Sequence, residues 1–153
     1  MADMKATIKS VASDLFFKKG YFATSISDIA KGSGIQKASI YYHYASKEEL
    51  LFHILKSTME DLTDYLKACL SSVTGVESRM RAAVRGHVHF HLERQKENFI
   101  ANAELRGLTA EHYREIVRKR DEYELGLHVQ RSLHLRHGIG PEPLRGTDRE
   151  STG

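Results

Sequence analysis

The chain has 153 residues, 41% hydrophobic and 28% charged, with a net charge of +3 and a single cysteine, Cys69. That is enough apolar material for a packed core and too much for a disordered chain, and one cysteine excludes an internal disulfide framework. With no run of about 18 apolar residues, and with charges scattered through the opening MADMKATIKS, neither a membrane span nor a secretory signal is expected and the expected location is the cytoplasm.

The charge is uneven. Residues 1–50 hold seven lysines against five acids, a net of +2, whereas residues 51–124 hold twelve bases and twelve acids. Residues 125–153 hold four arginines and three acids. A positive excess at the start suits a nucleic-acid contact, although a solvated surface produces the same count.

In chain order, Ile8, Ala12, Leu15 and Phe16 recur at helical spacing, and Lys18-Lys19-Gly20 reads as a basic last turn followed by a terminating glycine. Thr24 and Ser25 offer N-cap oxygens to a second helix carrying Ile26, Ile29 and Ala30. Gly32-Ser33-Gly34 interrupts it, and a third segment runs from Gln36 to Tyr44. Ser46-Lys47-Glu48-Glu49 has the form of a capping box, with Ser46 accepting from the Glu49 amide and Glu49 reaching back to the Ser46 amide. It opens a long fourth helix through Leu50, Leu51, Ile54, Leu55, Met59, Leu62 and Leu66 to about Cys69. After Gly75 a fifth helix is expected from about Glu77 to Glu97, with Met80, Val84, Val88 and Leu92 on one face, then a short one from Asn98 to Arg106. Gly107 ends that helix, and Thr109 caps a seventh carrying Tyr113, Ile116, Val117 and Tyr123, which Leu125, Val129 and Leu133 can extend to about His137. No strictly alternating β-branched segment occurs, so the fold class is all-α. From Gly138 onward the Gly/Pro-rich tail reads as disordered.

Two short helices joined by a tight glycine-containing turn form a helix-turn-helix, in which the first helix braces and the second reads the DNA major groove. Here Ile26–Lys31 is the brace, Gly32–Gly34 the turn and Gln36–Tyr42 the reader. The string Thr24-Ser25-Ile26-x-x-Ile29-Ala30-x-x-x-Gly34-Ile35-x-x-x-Ser39-Ile40-Tyr41-Tyr42-His43-Tyr44-x-Ser46-Lys47-x-x-Leu50, preceded by Ala12-x-x-Leu15-Phe16-x-x-x-Gly20-Tyr21, resembles the signature of the tetracycline-repressor (TetR) family.

The resemblance implies a three-helix DNA-binding head (residues 1–47), a helical effector-binding and dimerisation domain (48–137) and a tail (138–153). It implies a dimeric repressor that binds a palindromic operator in double-stranded DNA and is released by a small-molecule effector. Thr24 and Ser25 are expected to meet a phosphate, as are Tyr42, His43 and Lys47. Gln36, Lys37, Ala38, Ser39 and Tyr41 are expected to face the groove, where Gln pairs best with adenine and Lys with guanine. Gln36 departs from the Ser or Thr common at its position and is a poor N-cap. Ile29, Ala30, Ile35, Ile40, Tyr44 and Leu50 are expected to be core.

In the body, the segments Asn98–Arg106, Leu108–His112 and Arg120–Glu124 are similar to a subgroup governing fatty-acid or sterol degradation, whose effectors are acyl-coenzyme A esters. Candidate pocket residues are Leu55, Met59 and Leu62 on one helix and Val84, Val88 and His91 on another, ordinary core packing being the alternative for each. His87 and His91 lie one turn apart, but no Cys or carboxylate at a matching spacing completes a metal site. No metal or cofactor is expected, and no phosphate loop or nucleophile motif points to an enzyme. The family usually continues beyond about residue 124 with two long dimer-forming helices, and here there is room for at most one. The expectation is a C-terminally shortened body, truncated or frame-shifted after Glu124. The alternative reading is a shortened helix-turn-helix protein that binds DNA weakly without effector control, and a third is a small-molecule- or metal-binding bundle with a vestigial head.

Overall fold

The computed structural model describes residues 3–135, with side chains described through Tyr123. Among them run seven α-helices and no strand: α1 (Met4–Lys19), α2 (Ile26–Gly32), α3 (Lys37–His43), α4 (Lys47–Ser71), α5 (Val76–Glu93), α6 (Gln95–Ala103) and α7 (Ala110–Leu135), with a 3-10 turn at Leu105–Gly107. The all-α expectation holds over these residues. None of these helices is long and apolar enough to cross a membrane. The tail from Gly138 lies outside the described residues.

Helix α1 acts as a strut shared by head and body. Asp3 caps its start by accepting from the Lys5 amide at 3.0 Å. Its Ile8, Ala12 and Phe16 are fully buried. They join Ile29 of α2, Ile40 of α3, Leu50, Leu51, Ile54 and Leu55 of α4, Ile100 of α6 and Ile116 of α7 in one cluster. Each large side chain buried there contributes about 1.5–3 kcal/mol. The three-helix head therefore has no private core: its inner face is completed by α4, α6 and α7.

Ser46 caps α4 as the spacing predicts, its Oγ accepting from the Glu49 amide at 3.0 Å. The reciprocal bond differs, because the Glu49 carboxylate accepts from the Ala45 amide, one residue further out. The lower half of α4 carries a second cluster, in which Leu62 and Leu66 meet Phe90 of α5, flanked by Tyr65 and Tyr123.

Helix α5 buries a different face from the one its sequence points to. Met80, Val84, Val88 and Leu92 are 50%, 60%, 51% and 61% exposed. The face against α4 is formed by Gly86 and Phe90, both buried. The physical reason is clearance. A Cβ at position 86 would lie 3.0 Å from Leu66 Cδ2 and 3.2 Å from Cys69 Sγ, so the glycine lets α4 approach more closely than a larger residue would without those side chains giving way. Helix α5 also stops at Glu93, where Arg94 leaves helical geometry at φ −115°, ψ 41°, and α6 starts earlier than the periodicity predicts. Gly107 closes a 3-10 turn, and Thr109 Oγ1 accepts from the His112 amide at 3.3 Å, capping α7.

Candidate nucleic-acid interface

Two local devices shape the α2–α3 pair. Ser25 and Asp28 form a complete capping box: Ser25 Oγ accepts from the Asp28 amide at 3.1 Å and Asp28 Oδ2 accepts from the Ser25 amide at 2.9 Å. The backbone hydrogen bond from Ser25 holds the Asp28 carboxyl below its ordinary value. At the other end of α2 the chain turns through Gly34 at φ 68°. The Ile35 amide bonds back to Ala30 O at 3.0 Å and the Gly34 amide to Lys31 O at 3.2 Å. This is the Schellman arrangement, and its left-handed residue tolerates no Cβ without strain. Half-buried Ile35 then packs on the core and fixes where α3 begins.

Helix α3 starts without a side-chain cap, since Gln36 makes no such bond, in line with its poor capping chemistry. Ile40 is fully buried and Tyr44 nearly so, the Tyr44 hydroxyl donating to Lys5 O at 3.4 Å. These anchors leave the opposite face of α3 in solvent. Gln36, Lys37 and Ala38 are exposed and Ser39 is half-buried. Tyr41 is 47% exposed and Tyr42 86%, with the His43 ring edge-on to Tyr42 at 5.0 Å.

Two of the expected phosphate contacts are redrawn. Thr24 is buried, and its hydroxyl donates to Gly20 O at 2.9 Å, so it is not available to a phosphate. Lys47 does not project a free ammonium. Its Nζ donates to Tyr21 O at 2.9 Å and Thr24 O at 2.8 Å and lies 4.3 Å from the Tyr21 ring centroid. Burial lowers its pKa, with the charge of Glu104 opposing. Ser25 is exposed, but its hydroxyl also donates to Asp28 Oδ2 at 2.8 Å.

Residues 8–54 match the model of the bacterial regulatory proteins of the tetR family, and residues 74–129 match the tetracyclin repressor-like C-terminal domain. The chain belongs to the TetR family. Among curated members, FasR, an HTH-type transcriptional activator of Mycolicibacterium smegmatis, is 33% identical over 79 residues, which are 52% of this chain and 36% of FasR. IcaR, a negative regulator of the icaADBC biofilm operon in Staphylococcus epidermidis, is 41% identical over 63 residues, 41% of this chain and 34% of IcaR. The matched stretches thus span about a third of those TetR proteins. Among solved structures, AibR in complex with isovaleryl coenzyme A and operator DNA aligns with a TM-score of 0.79 at 26% identity, over 92% of this chain and 76% of AibR.

The residues expected to line an effector pocket do not converge in this TetR chain. Leu55, Met59 and Leu62 are buried in α4, whereas Val84 and Val88 face away on the exposed side of α5 for the clearance reason given above. His91 is half-buried, its ring 4.3 Å from that of His87. One concavity among the described residues, about 370 Å³, lies between α4 and α7 and is lined by Met59, Glu60, Thr63, Asp64, Lys119 and Tyr123 among others, so only Met59 of the expected set reaches it. His87 instead pairs through Nδ1 with the Tyr123 hydroxyl at 2.6 Å. Among the described residues no group of three or more His, Cys, Asp or Glu is placed to hold a metal ion. Sequence reasoning missed Glu104 altogether. It is a buried carboxylate accepting from the Tyr21 amide at 3.0 Å, and a lone glutamate before Leu105 carries no signal of that role.

Proposed function

We propose that this chain is a DNA-binding transcription repressor whose residues 1–47 form the reading head. Helix α3 enters the major groove with Gln36, Lys37, Ala38, Ser39 and Tyr41 toward the base edges, and Ser25, Tyr42 and His43 meet the sugar-phosphate backbone. The supporting observation is the split of α3 into a fully buried Ile40 and a solvent-facing Lys37, Tyr41 and Tyr42. Two heads in a homodimer read a palindromic operator. The test is to select duplexes from a random pool with the full chain and titrate binding against salt. Enrichment of a palindromic site with a steep salt slope is expected, about −0.9 per phosphate contacted. Failure to enrich any sequence refutes the reading.

The body, residues 48–137, is the effector-binding and dimerising part, and an acyl-coenzyme A ester is the effector class, on the likeness to the isovaleryl coenzyme A complex of AibR. Release of the selected duplex by isovaleryl coenzyme A is the expected result. A second reading, DNA binding without effector control, is favoured by the divergence of Val84 and Val88 from Leu55 and Leu62. It predicts no response to any acyl-coenzyme A chain length.

A further inference from the structure

Tyr21 lies at the entrance to the loop that leads into α2, and it is held both by Lys47 at the start of α4 and by Glu104 and Gly107 of the body. Its amide donates to the buried Glu104 carboxylate at 3.0 Å. Its carbonyl accepts from Lys47 Nζ at 2.9 Å, and its ring lies under the same ammonium. Gly107 lies against that ring so closely that a Cβ there would come within 2.6 Å of Tyr21 Cε1 and 2.9 Å of Leu51 Cδ2. The 3-10 turn that holds Glu104 and Gly107 in place is itself tied down at its far end. Glu48 Oε1 of α4 accepts from the Thr109 amide at 2.8 Å and pairs with His112 Nδ1 at 2.9 Å, while the His112 ring stacks on Phe52 at 3.8 Å. Three residues after Tyr21, Thr24 passes to the Ser25 cap, so the position of Tyr21 sets where α2 starts.

We propose that Glu104, Gly107 and Lys47 form a clamp on Tyr21 that orients the α2–α3 hairpin for DNA, so that a shift of the α6 end or the 3-10 turn relative to α1 is passed to the reading helix. Glu104 is a positioning residue here: it touches no DNA and acts through the Tyr21 backbone. The inference rests on the DNA-binding reading and adds the route by which the body controls the head. A charged acceptor buried against a backbone amide is costly to remove, because the amide is then left unpaired away from water. Gln at position 104 keeps a carbonyl acceptor of nearly the same length, and Ala keeps none.

The test compares Glu104→Ala and Glu104→Gln with the wild-type full chain, using a duplex that the wild type selects from a random pool and amide hydrogen exchange without DNA. Glu104→Ala is expected to weaken binding about tenfold or more and to speed exchange across residues 26–43 while α5 is unchanged, and Glu104→Gln to restore both to within about threefold. The clamp is overturned if the Ala variant leaves binding and exchange unchanged. It is equally overturned if both variants weaken binding alike with exchange rising throughout the chain, the mark of plain destabilisation. If the wild type selects no duplex, the DNA-binding reading fails separately and exchange alone decides: acceleration confined to residues 26–43 supports the clamp, and unchanged exchange sinks it.

Discussion

The Lys47 ammonium sits 4.3 Å from the centroid of the Tyr21 ring while it donates to the carbonyl oxygens of Tyr21 and Thr24, fastening the start of α4 to the loop ahead of α2. An ammonium that donates to two carbonyls keeps its charge but has only one N–H donor left for a phosphate. Lys47→Met keeps the aliphatic stem and removes the donor, and is expected to cost about 1–3 kcal/mol of stability by urea unfolding. Binding to a selected duplex weakens through the displaced loop, yet the salt slope stays at the wild-type value. A slope shallower by about 1 would show that Lys47 touches a phosphate after all.

The Ser25–Asp28 box makes a second quantitative expectation. Helix α2 has only seven residues, so its isolated stability is negligible and its cap weighs heavily. Ser25→Ala removes the acceptor for the Asp28 amide and the donor to Asp28 Oδ2 together. A loss of about 0.5–2 kcal/mol is expected, and Ser25→Asn, which can still cap, should recover most of it. Equal losses in the two variants would mean that the cap contributes little.

The head was legible in the sequence because its constraints are local. A capping serine, a glycine able to take φ 68° and Ile29, Ala30 and Ile40 at helical spacing each act within a few residues, and each is found where the periodicity places it. The body was less legible because its constraints are distant. Helix α5 has two apolar faces, and the choice between them is made by Leu66 and Cys69 against Gly86, which hydrophobic spacing along α5 does not encode. Lys47 shows the same limit: its polarity suggests an outward contact, while the carbonyls it donates to belong to Tyr21 and Thr24, 26 and 23 residues earlier in the chain. Thr24 is a local case, its hydroxyl donating to Gly20 O four residues back. Glu104 gave no sign at all, since its partner is 83 residues away.

On α3, Lys37 and Tyr42 are expected to separate by function. Lys37 stands at the exposed start of the reading helix, Tyr42 on its outer flank. Lys37→Ala should relax preference at one base pair of the selected site, costing about 1–3 kcal/mol against the preferred base. Tyr42→Phe should weaken selected and random duplexes by the same factor. Competition assays with single-base variants of the site read both, and a Lys37→Ala chain with unaltered preference would remove that residue from the base-contacting set.

Gly86 gives a packing prediction in the body. Its missing Cβ admits Leu66 and Cys69 of α4. Gly86→Leu forces a branched side chain into that contact and is expected to cost about 1–3 kcal/mol through overpacking, more than the helix propensity gained, about 1 kcal/mol. Leu at position 84, already solvent-facing, should be nearly neutral. Thermal unfolding of the two variants gives the comparison, and a stabilised Gly86→Leu chain would mean that the α4–α5 contact is looser than described.

The last expectation concerns acid. Burial, reinforced by the neighbouring His91, holds the His87 imidazole below its ordinary value of 6.5, and its Nδ1 pairs with the Tyr123 hydroxyl. A histidine whose pKa is lower in the folded than in the unfolded chain binds fewer protons when folded, so stability rises with pH across that interval. The contribution is complete above 6.5 and is lost as pH falls below it toward the folded value. Unfolding midpoints measured from pH 7.5 down to about 5.5 should therefore decline more steeply in the wild type than in His87→Gln, which cannot titrate. Because the other eight histidines remain in both chains, the difference between the two slopes isolates His87. Parallel declines would place the acid sensitivity elsewhere and leave the α5–α7 contact indifferent to protonation.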